Sequence, residues 1–188
     1  MSREQILARI RQNKPAAPPL PALPDFFREE TDPVSAFIRA VEQGGGKTLP
    51  YSELEAWLAA EHPAAKMIAS TAPGFQGNVD LNGIQNPADL NEVDVAVITT
   101  SLGIAESGAV WVTEADCVHR VLPFITQHLA VVLDKNLIVQ NTQMAYKRAD
   151  VAATGFGVFI AGPSKTADIE QSLVVGAQGA RSYTVFFR

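Results

Sequence analysis

The run Val93-Asp94-Val95-Ala96-Val97-Ile98 is the feature that most limits the folds open to this chain. It is short, rich in β-branched residues and apolar on both alternate positions beyond Asp94, as expected of a strand covered on both faces. Comparable runs recur at Lys66–Ala69, Ala109–Val112, Leu129–Leu133, Gly157–Ala161 and Ser182–Phe187. Between them lie segments with helical character. Val34, Phe37, Ile38 and Val41 form one stripe behind Thr31 or Asp32 as a cap, with Pro33 in the first turn and Gly44-Gly45-Gly46 as the stop. Ser52 through Leu58, Ile138–Arg148 and Thr166–Val175 are read as further helices. Strands alternating with helices predict an α/β fold: a single layered domain with a mainly parallel sheet and local antiparallel pairing.

The N-terminus is organised differently. Ser2 and Gln5 have capping-box spacing, and Ile6, Leu7 and Ile10 share a stripe apart from Arg3, Arg9 and Arg11. Pro15, Pro18, Pro19, Pro21 and Pro24 follow and favour an extended, semi-rigid linker. Residues 1–24 are therefore expected to be a helical arm, and residues 25–188 the α/β body. A helix this short is marginal in water, so it is expected to dock on its own body or on a neighbouring subunit. The Gly/Asn/Pro-rich span Pro73–Pro87 reads as a long crossover.

Charge and cysteine content narrow the chemistry. Lys+Arg 15 against Asp+Glu 20 gives a net charge of -5, which supplies no cationic field for nucleic acid. The lone Cys117 cannot by itself hold an iron–sulfur cluster or a structural zinc, and His119 and His128 have no metal-ligand spacing. No cofactor is assigned. With no apolar leader at Ser2–Ile6 and no span-length apolar run, the expected location is the cytoplasm.

Two glycine-bearing loops follow predicted strands. Gly46-Lys47-Thr48 ends like a phosphate loop, but Val41 stands where the earlier glycine would be needed, and ATP hydrolysis loses its support. In Gly103-Ile104-Ala105-Glu106-Ser107-Gly108 the flanking glycines permit close backbone approach, and Glu106 is either a base or nucleophile or a solvated loop acid. Gly162-Pro163-Ser164-Lys165-Thr166-Ala167-Asp168 offers backbone N–H groups, two hydroxyls and Lys165 to an anion, or else caps a helix through Ser164 or Thr166 with Asp168 complementing its dipole. Arg120 serves either a ligand carboxylate or a surface pair with Glu114 or Asp116. Both loops should open on one cleft, with Glu106 and Ser164 as neighbours.

These two loops, with Arg120, Leu122-Pro123 and Leu173-Val174-Val175-Gly176, resemble the LUD-domain family, in its lactate utilization protein C (LutC/YkgG) branch. The resemblance implies a NagB/RpiA/CoA-transferase-like fold and a part in oxidising L-lactate to pyruvate with iron–sulfur protein partners. The chemistry of the residues themselves, and not the resemblance, makes Glu106 the catalytic candidate, with Gly103, Ser107, Gly108, Arg120, Gly162, Ser164, Lys165, Thr166 and Asp168 as ligand-binding candidates. The chain departs from the family at Ser107, where threonine is usual, and at Ala177-Gln178-Gly179-Ala180, where the family often has Val-His-Gly-Pro. An acid–base role for that histidine could not pass to Gln178. Two other readings stay open: an independent enzyme for an anionic, phosphorylated or CoA-linked substrate, and a pure interaction protein. Self-association is compatible with all three.

Overall fold

The computed structural model describes residues 2–15, 19, 32–166 and 173–188. Helix α1 (Arg3–Gln12) opens on the reciprocal Ser2/Gln5 capping box. Helix α2 (Pro33–Gln43) starts where the Asp32 carboxylate accepts the Ser35 N–H, and it buries Phe37 and Val41; Thr31 lies outside the described residues. The chain continues through β1 (Lys47–Pro50), a 3-10 turn, α3 (Leu54–Glu61), β2 (Ile68–Ser70) and β3 (Val95–Thr100). After β4 (Gly103–Ile104), β5 (Ala109–Thr113), α4 (Glu114–Cys117) and α5 (Leu122–Ile125) comes β6 (His128–Leu133). Next are β7 (Ile138–Val139), α6 (Thr142–Arg148), α7 (Val151–Thr154) and β8 (Gly157–Ile160). The chain closes with β9 (Lys165–Thr166), β10 (Val174–Val175) and β11 (Ser182–Phe187).

Five of these strands form a wholly parallel sheet in the order β1-β11-β6-β3-β2. The two strands first in the chain occupy opposite edges, so the β1-to-β2 connection carries α3 across one face. Alternation along β3 fixes what each face buries. Val95 and Val97 point toward Leu54 and Trp57 of α3, while Ala96 and Ile98 join Phe37 and Val41 of α2. The largest side chains almost wholly excluded from solvent include Tyr183, Phe37 and Phe186. Each such burial contributes roughly 1.5–3 kcal/mol.

A second, four-stranded sheet in the order β7-β4-β5-β8 packs on the α2 side of the first. Val110 and Val112 of β5 face the main core, and the alternate residues Ala109 and Trp111 pack with Val139 and Ala145 of α6. The order of layers is therefore α3, parallel sheet, small sheet beside α2, then α6.

Three assignments made from sequence change. The loop beginning at Gly103 is a strand at its start, because Gly103 and Ile104 pair with both β5 and β7. The helix expected over Ile138–Arg148 starts four residues later: the Asn141 side chain accepts the Met144 N–H and sets the cap, leaving β-branched Ile138 and Val139 to a strand. The helix expected over Thr166–Val175 is replaced at both ends by strand, since β9 and β10 pair antiparallel. Residues 167–172, including Asp168, lie outside the described residues.

Gly108 and Gly162 show why glycine is required near α2. Both have positive φ, 65° and 74°, and a Cβ at Gly108 would lie 2.6 Å from the Val41 nitrogen. The backbone there cannot yield as a flexible side chain would. Gly108→Ala is therefore expected to destabilise the fold by about 2 kcal/mol or more, combining left-handed strain with the clash; a urea unfolding midpoint equal to that of the parent would contradict this.

Candidate functional site

The two glycine loops come to the same end of the small sheet. Gly103 pairs with Val110, and Val110 with Ile160, so the turn after β4 and the segment after β8 leave from one row, separated by a single strand. That places them roughly 10 Å apart, two interstrand spacings. Both press on the last turn of α2, Gly108 against Val41 and Gly162 with its Cβ position 2.8 Å from the Gly44 carbonyl oxygen. The Lys165 ammonium donates to that same carbonyl, capping the negative end of the helix dipole.

The loops nevertheless present different chemistry. Glu106 is exposed, and one carboxylate oxygen accepts the Thr142 N–H at 2.9 Å and the Thr142 hydroxyl. It thus complements the start of α6. Ser107 is exposed in the same turn, while Gly103 lies in the core, where a Cβ would sit 2.7 Å from Leu133 and 3.1 Å from Phe37.

The segment after β8 forms one wall of a cleft of about 300 Å³. Ser164 donates its N–H to Ala180 and accepts from Gly176, at 2.8 and 3.0 Å, which ties this wall to the wall carrying Gln178. Phe124, Leu129 and Phe159 supply apolar surface, and Ser164, Lys165 and Gln178 the polar groups. Glu106 does not line the cleft, so the expected meeting of Glu106 with Ser164 in one cleft is not found. Among the described lining residues Lys165 is the charged group, and none is a carboxylate, imidazole or thiol. Such a cleft can hold a small anion against an apolar wall.

The other candidates lie elsewhere. Arg120 takes the surface alternative: its guanidinium donates to Glu114 at 2.9 Å and lies 5.3 Å over the Phe156 ring. That hydrogen bond holds the Glu114 carboxyl below its usual range and raises Arg120. Thr166 belongs to β9. Cys117 is buried, and its Sγ lies 3.1 Å from the Thr113 carbonyl oxygen. Burial, with Asp116 and Glu114 nearby, pushes this thiol up to about 11, which leaves it protonated and inert as a nucleophile. No group of three or more His, Cys, Asp or Glu among the described residues is placed to hold a metal ion. No helix among them is long and apolar enough to cross a membrane.

Two features escaped the sequence reading. The first is a tight turn at Cys117-Val118-His119, closed by the His119 N–H on the Cys117 carbonyl at 2.7 Å. Val118 sits there at φ 63° and ψ -47°, a conformation that strains a β-branched residue. Beside it lies a cavity of about 630 Å³ bounded by Ser70, Asn78, Asp80 and Val118 itself. The second is a pair of imidazoles, His62 and His128, with ring centroids 4.0 Å apart, at the amino ends of the parallel strands. His128 bonds the Ser182 hydroxyl at 2.8 Å, while the buried Nε2 of His62 has no partner among the described residues. Nothing in the spacing of residues 62 and 128 signals this contact.

Val118→Gly should stabilise the protein by about 1 kcal/mol, the relief of left-handed strain exceeding the entropy cost of glycine; a lower thermal midpoint would refute the strain. Burial lowers the pKa of His62, and burial, with His62 and Arg181 nearby, lowers that of His128. Both imidazoles are thus neutral when folded at pH values where the unfolded chain binds protons. Their contribution is full above about pH 6.5, the unfolded value, and is lost as pH falls below it. The chemical-denaturation midpoint should drop between pH 7.5 and 5.5, and a His62→Gln/His128→Gln variant should show a flatter profile over that interval.

The sequence profile of the LUD domain matches residues 43–187. Lactate utilization protein C of Oceanobacillus iheyensis is 28% identical over 108 residues, covering 54% of this chain and 46% of that protein. The chain thus spans about half the length of this curated relative. The crystal structure of a DUF162 family protein from Deinococcus radiodurans superposes with a TM-score of 0.60 at 17% identity, over 82% of this chain and 95% of that one. This is a likeness of fold.

Proposed function

Because this chain belongs to the LUD-domain family, we propose that it serves lactate utilization as a non-redox subunit. In this reading it holds a small carboxylate, or the partner that carries one, while iron–sulfur proteins take the electrons removed as L-lactate becomes pyruvate. The cleft carries the proposal: Lys165 and the Ser164 hydroxyl suit a carboxylate, Phe124 and Phe159 suit its apolar remainder, and Gln178 supplies a neutral amide. An independent enzyme built on Glu106 would first have to free that carboxylate from Thr142.

Deleting the gene should abolish growth on L-lactate, and the parent chain should restore it. Gln178→Glu sets a negative charge in the cleft with Lys165 and should fail to restore growth while folding normally, whereas Glu106→Gln should restore it. The parent should also copurify with iron–sulfur proteins. Growth restored by Gln178→Glu would remove the cleft from the function, and turnover of L-lactate by the isolated chain would overturn the subunit reading.

A further inference from the structure

The cavity of about 630 Å³ between the long crossover and the Val118 turn has the size of a small-molecule site, and it lies beside Ser70 at the carboxyl end of β2, a position that suits ligands in parallel sheets. Its rim is firmly held. The Asn78 carboxamide accepts the Ile68 N–H at 2.7 Å and donates to the Lys66 carbonyl at 2.6 Å. A Cβ at Gly77 would sit 2.2 Å from the Ile68 carbonyl oxygen, so the crossover lies directly against the sheet edge. His119 reaches the Leu81 carbonyl from the Val118 turn. A rim fixed in this way presents its remaining polar groups to a ligand at little cost in ordering.

Those groups define the ligand. Asp80 Oδ1 accepts the Asn82 N–H at 3.2 Å, while Asp80 Oδ2 and the carboxamides of Gln76 and Asn82 have no hydrogen-bond partner among the described residues. Thr71 donates its hydroxyl proton to the Asp116 carbonyl and keeps its lone pairs. Asp80 is the charged group among the described lining residues, and Arg120, beyond the turn, is engaged with Glu114. An anion is therefore repelled. A cation would occupy the carboxylate but leave both carboxamide NH2 groups without an acceptor, whereas a hydroxyl donates and accepts and satisfies all three side chains. Val118 supplies an independent observation. Its left-handed turn is strained, yet its side chain is 37% exposed, so burial within the chain does not offset the strain; a ligand covering that side chain would. We infer that this cavity binds an uncharged polyhydroxylated molecule of sugar size, with its hydroxyl edge on Gln76, Asp80 and Asn82 and its C–H face on Val118. The described lining shares no residue with the cleft assigned to lactate utilization, and the inference stands apart from that reading.

Saturation-transfer NMR on the full chain, with free pentoses, hexoses, inositol and alditols at about 10 mM each, should identify at least one binder with a dissociation constant of about 1 mM or lower. Asp80→Asn keeps an acceptor for the Asn82 N–H, so it should leave the unfolding midpoint unchanged and weaken that binder about tenfold through loss of a charge-assisted hydrogen bond. Val118→Gly should raise the unfolding midpoint and yet weaken binding several-fold, a combination that a merely structural valine would not give. Gln178→Glu, which charges the other cleft, should bind the polyol as the parent does. No binding anywhere in the panel, binding of 1,4-diaminobutane in place of every polyol, or equal affinity in the parent and Asp80→Asn would overturn the assignment.

Discussion

The close approach of backbone to backbone at the last turn of α2 is the constraint on which the rest of this architecture depends. Gly44 and Gly46 close that turn on the carbonyls of Ala40 and Val41, and two separate segments are then seated on it through three contacts. Gly108 approaches Val41, Gly162 approaches Gly44, and Lys165 reaches the Gly44 carbonyl from the β9 side. One turn upstream, Phe37 packs edge-on against Phe187 at 5.9 Å and leaves room only for a glycine at position 103. A single helix thereby fixes the parallel sheet, the small sheet and the cleft wall relative to one another. Side chains at positions 108 and 162 would push backbone apart, and the displacement would pass directly to the cleft.

This explains which parts of the molecule could be read in advance. Strands β2, β3, β6 and β11 of the parallel sheet were legible to within about two residues, since β3, β6 and β11 are apolar on both faces and that property is local; the edge strand β1, whose Lys47 and Pro50 are exposed, was not read as a strand. Helix α2 was equally legible, with Asp32 as cap and glycine as stop, because capping is settled within a few residues. The small sheet was legible only in part: β5 and β8 were read as strands, but β4 and β7 are two residues long and have no period to detect, and they exist because Gly103 and Ile138 meet across the fold. The same holds for β9 and β10, where Thr166 and Val174 pair at a separation no local pattern encodes. The glycines of the two loops were correctly singled out, but for a ligand's approach, whereas the structure uses Gly103, Gly108 and Gly162 for the approach of the protein to itself.

Val118 shows strain stored at a place with a mechanical task. The same turn occurs after α7, where Gly155 at φ 70° and ψ -54° adopts it freely and the Phe156 N–H bonds Thr154 at 2.8 Å. After α4 the turn is forced on valine, and it sends the next two residues in fixed directions. His119 Nε2 lies 2.7 Å from the Leu81 carbonyl oxygen, and Arg120 folds back on Glu114. The imidazole thereby holds the long crossover that skirts the sheet edge, where Asn78 pairs with Ile68 as a strand would. Covering that edge protects the otherwise open side of β2 from pairing with another chain.

The separation of Glu106 from the cleft bears on what kind of protein this is. A carboxylate at the shared end of the small sheet could have faced the ligand, but the amino end of α6 lies closer and offers a backbone N–H, a hydroxyl and a favourable dipole together. With that carboxylate engaged, the described polar groups of the cleft are an ammonium, a hydroxyl and an amide, all able to bind a carboxylate. A binding surface of this composition requires only shape and one positive charge to hold a small carboxylate. The wall that carries that charge is held by the last turn of α2, through Gly162 and Lys165 on the Gly44 carbonyl.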